Sequence, residues 1–219
     1  MMAEYIGILK HPRDFFIRSY LHNWGRYYIF ASAVQVFLSV LHIVFMNAET
    51  LHLLSQTEMI TDFFILSFAT CMRNLISWIA VAIIIRNLST LFGNREISFT
   101  TIIYVISLCH VTTIIEMVLS TTIRMVLWYN SVTVSFDTFQ MVSAAIFFPD
   151  SDPFFRYFMS SLTIFSVWHI ILVSIGLSVY STLTILRSSA ITIVSFFFGI
   201  VVKITLHATI VSLPYALHS

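Results

Sequence analysis

The chain has 219 residues, of which 58% are hydrophobic and only 10% are charged. A soluble domain carries about 25% charged residues, so a mean hydropathy of +0.93 excludes an ordinary soluble domain. The net charge of +1 says little as a total, but no basic cluster is interleaved with exposed aromatics, so no nucleic-acid partner is expected. A spanning helix needs about 20 mostly apolar residues, and the sequence predicts five of them in chain order. Residues 1–26 form a cytoplasmic, interfacial N-terminal segment, and 27–219 form the transmembrane domain. Within ILKHPRDFFIRSYLHNW a helix is expected to start at Pro12, since proline is tolerated at a first helical position. Its Phe15, Phe16, Tyr20 and Trp24 alternate with Arg13, Arg18 and Arg26, which suits an amphipathic helix on the membrane surface. The spans follow at 27–46, 63–85, 99–119, 157–177 and 190–213, with the fourth continuing as helix to Ile185. The long loop before span four is expected to hold a short interfacial or re-entrant helix over Phe136 to Phe148. The predicted fold is therefore an all-α, integral membrane bundle of five helices with an N-terminal interfacial helix.

The charges sort by side. Lys10, Arg13, Arg18, Arg26, Arg86, Arg95 and Arg187 fall on one side of these spans, the last in a tight turn between spans four and five. The other side has Arg124 and Arg156, with Glu49, Glu58, Asp62, Asp137, Asp150 and Asp152. Cytoplasmic loops carry the Lys/Arg excess, so the N-terminus is expected inside and the C-terminus outside. No signal peptide is expected, because no small-residue cleavage site follows the first apolar run.

Several polar groups lie within the spans. In span five, Ser195, Gly199, Lys203 and His207 recur every four residues and make one polar, small-residue stripe. Such a stripe faces other helices, where small residues allow close approach and polar ones find partners. A mid-span Lys costs about 2.5–3.5 kcal/mol, and each Leu, Ile, Phe or Val returns about 0.3–0.6. Span five can therefore insert with Lys203 unpaired. By helical rise, Arg73 of span two, Glu116 of span three and Lys203 can share the outer half of the bundle. Arg73, Glu116, Lys203 and His207 are the candidate binding cluster, with an excess of positive charge that suits an anionic ligand, a lipid headgroup or a partner's carboxylate. Against this stands a plain structural role, in which the long cationic side chains pair locally or extend to the interface.

His110, His169 and His207 each sit alone near the middle of a different span. They are weak metal candidates, because no HxxxH or ExxH pair puts two ligands on one helix. No metal and no cofactor is expected. Trp168 beside His169 reads as packing. Cys71 and Cys109 read as small packed hydrophobes. No serine stands in a GxSxG context and no Gly-rich phosphate loop occurs, so no catalytic residue is expected and the chain reads as non-enzymatic.

Two stretches resemble the Yip1 domain family of small multi-pass membrane proteins. One is ILKHPRDFF at the start. The other is FFRYFMSSLTIFSVWHIILVSIGLSVYSTLTILRSSAITIV, with Phe165, Trp168, Gly176, Leu177 and Arg187 at the positions that mark the family's penultimate span and the short basic turn after it. The family's eukaryotic members have a long polar N-terminal region that this sequence does not show, and its compact length is closer to the bacterial members. The resemblance implies a five-span helical fold in a bacterial cytoplasmic (inner) membrane and no catalytic site. It implies no functional residue.

The first functional expectation is a Yip1-like scaffold or accessory subunit of an export or trafficking complex. Its partners would be the lipid bilayer and other membrane subunits or further copies of itself. The alternative is a small transporter, channel or lipid-binding protein that uses the intramembrane polar cluster around an outward-facing cavity.

Overall fold

The computed structural model describes residues 2–18, 56–92, 97–129, 143–148 and 152–217, with isolated positions between 29 and 37. The described side chains are fewer and leave out Cys71, Arg73, Asn74, Arg124 and everything from His207 onward. In chain order the helices are α1 (Met2–Lys10), α2 (Pro12–Arg18), α3 (Gln56–Phe92), α4 (Phe99–Cys109), α5 (Val111–Tyr129), α6 (Pro153–Ser160), α7 (Ile164–Tyr180) and α8 (Ile185–Leu217). A 3-10 helix, Ala144–Phe147, precedes α6. Among the described residues there is no strand, only an isolated bridge between Ser143 and Thr163.

Among the described residues, three segments are long and apolar enough to cross a membrane: Leu75–Phe92 in α3, Phe99–Ile123 through α4 and α5, and Ile185–Leu206 in α8. The apolar helix Ile164–Tyr180 is shorter. Large hydrophobic side chains cover the outer faces of these helices, including Ile76, Ile79 and Ile83 on α3 and Val194, Phe197, Phe198 and Val201 on α8. A soluble monomer does not leave apolar faces of this extent in water, but lipid accepts them. The all-helical architecture and the membrane-length helices agree with the composition. Of predicted span one, 27–46, only isolated positions between 29 and 37 are among the described residues.

Several helices differ in extent from the predicted spans, starting with α3, which runs over Gln56–Phe92 against the predicted 63–85. Span three is broken at His110 and then runs on to Tyr129. The Cys109 carbonyl, which a continuous helix would offer to the Thr113 amide, is taken up by side chains. The Thr112 hydroxyl donates to it at 3.0 Å and His169 Nδ1 lies 3.1 Å away. Span four is likewise two helices, α6 and α7. Thr163 leaves the helical conformation and starts α7 with a capping box. Its hydroxyl accepts from the Ser166 amide at 3.1 Å, while its own amide donates to the Ser166 hydroxyl at 2.8 Å. Reciprocal capping satisfies two amide donors that a helix start leaves unpaired. That helix does not continue to Ile185 but ends at Tyr180. Just beyond, the Ser181 hydroxyl donates to the Leu177 carbonyl at 2.6 Å and accepts from the Leu183 amide at 3.1 Å. The last helix consequently starts at Ile185 rather than Ala190. Arg187 sits in its first turn, not in an interhelical turn, and donates to the Phe92 carbonyl at 3.1 Å.

The four long elements form a ring. α8 packs most extensively on α3 and then on α7, α3 packs on α4, and α4 and α5 pack on α7. Fully buried Ile102, Tyr104, Val105, Leu108, Leu172 and Leu177 fill one end of the ring. The N-terminal hairpin of α1 and α2 closes that end, packing on α7 and α4. Pro12 does open α2, as expected. Phe16, however, points into the protein with 0% exposure, as does Ile8, whereas Ile17 is exposed. The Phe16 ring meets Tyr180 edge-on at 5.9 Å. Space for it comes from Gly176, where an added Cβ would stand 2.9 Å from Phe16 Cζ and 2.7 Å from Val105 Cγ1.

Gly199 does the same for the α3–α8 seam. A Cβ there would meet Val81 Cγ2 at 2.8 Å, and small residues at such crossings let two helices approach closely. Gly199→Ala is expected to lower stability by about 1–3 kcal/mol, the range for overpacking. Because the obstructing atom is a side-chain methyl, Val81→Ala should recover most of that loss. Thermal unfolding of the purified protein in detergent checks both. An unchanged midpoint for Gly199→Ala would mean the seam is looser than drawn.

Candidate functional site

A cavity of about 280 Å³ lies inside the ring. Each wall comes from a different helix. α3 contributes Ser77, Trp78, Val81 and Ile85; α4, α5 and the kink between them contribute Ile106, His110, Thr113 and Glu116. α7 gives Ser166, His169 and Val173, and α8 gives Thr192, Phe196, Gly199, Ile200 and Lys203. Ser161, in the turn before α7, completes it.

The cavity has a charged end and an apolar end. At about 1.5 Å rise per residue, Glu116 lies roughly 15 Å along the chain from Ile106, and Lys203 roughly 16 Å from Thr192. Glu116, Ser161 and Lys203 therefore share one end, while Ile85, Ile106, Val173 and Thr192 share the other. Lys203 is exposed as well as cavity-lining, which puts it where the cavity opens. The Glu116 carboxyl lies beside the Thr163 hydroxyl, and Lys203 acts on it electrostatically.

The helix break at His110 builds the middle. It turns the buried His110 ring edge-on to Trp78, with centroids 4.8 Å apart. On the opposite wall, His169 Nδ1 lies 3.1 Å from the Cys109 carbonyl and 3.3 Å from the Thr112 hydroxyl. A carbonyl only accepts, so Nδ1 carries the proton in this contact, and the tautomer follows from the hydrogen bond. Nε2 is then the acceptor that the neutral ring can offer to the cavity. The break thus lies beside both histidines, with His110 against Trp78 and His169 on the Cys109 carbonyl.

Of the predicted cluster, the structure brings Glu116 and Lys203 to one cavity. The side chains of Arg73 and His207 lie outside the described residues. His110 and His169, predicted as separate weak metal candidates, line the same cavity as each other. Among the described residues no group of three His, Cys, Asp or Glu side chains is placed to hold a metal ion. Trp168 packs against the core, as expected, and Cys109 is fully buried. Ser77, Trp78, Ser161 and Thr192 were not singled out from the sequence. Only their place on the helices that meet around the void marks them, and a single sequence carries no signal of which helices meet.

The fold and the cavity define a class: a helical bundle with several membrane-length apolar helices and, among them, a chamber lined by both polar and apolar side chains. Comparison takes this no further, since no family model, curated protein or solved structure matches this chain.

Proposed function

We propose that this chain is a five-span protein of the bacterial cytoplasmic membrane, Yip1-like in plan, that binds a small polar ligand in its intramembrane cavity without chemically changing it. The N-terminus lies inside, the C-terminus outside, and α2 lies at the inner membrane surface with its outward face toward lipid. The observation that carries the binding reading is the single chamber lined by Glu116, Lys203, His110 and His169. Intramembrane ionisable groups facing a cavity mark ligand or ion pathways by default. Helices packed only for support would bury apolar side chains there, at no desolvation cost.

The charge layout supports the orientation. Lys10, Arg13, Arg86 and Arg187 cluster at the end closed by α1 and α2, and Glu116 and Lys203 lie toward the other. The cavity then opens outward. A ligand with both a cationic and an anionic group suits the Glu116–Lys203 end, with its apolar part against Val81, Ile106 and Val173.

The competing role is the scaffold or accessory subunit, in which Lys203 meets a carboxylate of another subunit. Gentle purification in nanodiscs at native expression level, followed by mass spectrometry, separates the two. The binding reading expects a retained small molecule or lipid that is lost on Lys203→Met. Defined proteins in fixed ratio, with no small molecule, would establish the accessory-subunit reading in its place.

A further inference from the structure

Two buried hydroxyls are left over from the site. Ser89 and Ser188 are 1% and 0% exposed, and among the described residues neither Oγ has a hydrogen-bond partner. Serines in helices ordinarily bond the carbonyl one turn back, and Ser189, Thr192, Ser195 and Thr205 of α8 all do so. Ser188 departs from its neighbours.

Their position gives the departure a meaning. On α3, Ser77, Val81 and Ile85 line the cavity at four-residue spacing, and the next position in that row is Ser89. On α8, Gly199 and Thr192 line it, and Ser188 follows one turn further. The two helices run antiparallel, since Gly199 faces Val81 and Arg187 reaches Phe92. Both orphan hydroxyls therefore stand in the same seam, one turn beyond the cavity floor and on the side of Arg187. Ile85, with 0% exposure, lies between. Buried polar atoms without protein partners are where ordered water sits, and an apolar side chain between two wet regions gates by dewetting.

We propose that the cavity is one half of a water path through the bundle, with Ile85 as its constriction and Ser89 and Ser188 as the hydroxyls that carry water, and hence protons, past it. This rests on the cavity reading above and extends it from binding to conduction.

The test is cysteine accessibility in sealed proteoliposomes, in a Cys71→Ala, Cys109→Ala background. A small, charged, membrane-impermeant methanethiosulfonate is added on the face where Glu116 and Lys203 lie. Thr192→Cys should react. Ser188→Cys should react more slowly and accelerate roughly ten-fold or more when Ile85→Ala opens the constriction; Ser89→Cys repeats the measurement from the facing helix, should either variant misfold. If Thr192→Cys reacts while both serine positions stay inert, with or without the Ile85→Ala change, the cavity is blind and the path is refuted. Inertness at Thr192→Cys as well would remove the solvent-reached cavity itself, and the binding reading with it.

Discussion

Phe16→Ala is expected to be the most damaging single change in the described core, lowering stability by about 3–5 kcal/mol, the range for a buried phenylalanine. The ring is fully buried, stacks edge-on with both Phe15 and Tyr180 at 5.9 Å, and fills the gap that Gly176 leaves in α7. Among the described residues, the hairpin's other contributions to the core are Ile8 and the partly buried Leu9 and Phe15. Loss of the ring should therefore lower the unfolding midpoint in detergent and also open the backbone near His11 to protease. A double-mutant cycle makes the contact specific. Gly176→Ala alone sets a methyl against Phe16 and Val105 and should cost about 1–3 kcal/mol. In the Phe16→Ala background one of the two obstructions is gone, so its cost should fall, with a coupling of about 0.5–3 kcal/mol for residues in contact. Equal costs of Gly176→Ala in both backgrounds would show that Phe16 does not occupy this slot.

The second large effect is expected on ligand retention rather than on stability. Glu116 and Lys203 stand at the open, charged end of the cavity, so replacing either leaves the buried packing intact. Hydrogen bonds to charged groups contribute about 1.5–3 kcal/mol, which is about 10- to 150-fold in affinity. Glu116→Gln and Lys203→Met should each weaken retention by that order while leaving expression near the wild-type level. Quantifying the co-purified molecule across the variants measures this. Unchanged retention together with lost assembly would move Lys203 from a ligand site to a subunit contact. The stability readout of the same variants separates direct pairing from mere proximity. A Glu116→Gln change that destabilises the wild type but not the Lys203→Met variant supports pairing, and equal losses in both backgrounds argue against it.

Composition and patterning alone made the chain a helical membrane protein, and the physical reason is simple. Lipid cannot hydrogen-bond the backbone, so long apolar runs must satisfy it internally as helices. The same logic made the stripe on α8 legible. Recurrence every four residues places Ser195, Gly199 and Lys203 on one face whatever that face touches, and Ser195 and Gly199 are indeed buried. Pro12 announced the start of α2 because its fixed φ and missing N–H suit only a first turn.

Tertiary structure decided the rest. Hydropathy averages over a turn or more, so it could not see that His169 of one helix captures the Cys109 carbonyl of another and breaks span three at His110. It could not see the Thr163 capping box, whose two hydrogen bonds outweigh an apolar run that reads as continuous. The aromatic residues of α2 suited a membrane surface by pattern, but Phe16 turned inward because Gly176 sits opposite, a complementarity between residues far apart in the chain. The same limit applies to the site. Glu116, Lys203 and the histidines were visible as costly residues, because charge and imidazole in an apolar span stand out against their neighbours. That they line one chamber, with Trp78 and Ser77 beside them, depends on the order in which the helices pack. Helix periodicity says which face of each helix is polar; only the closed ring of α3, α4, α7 and α8 says that those faces meet.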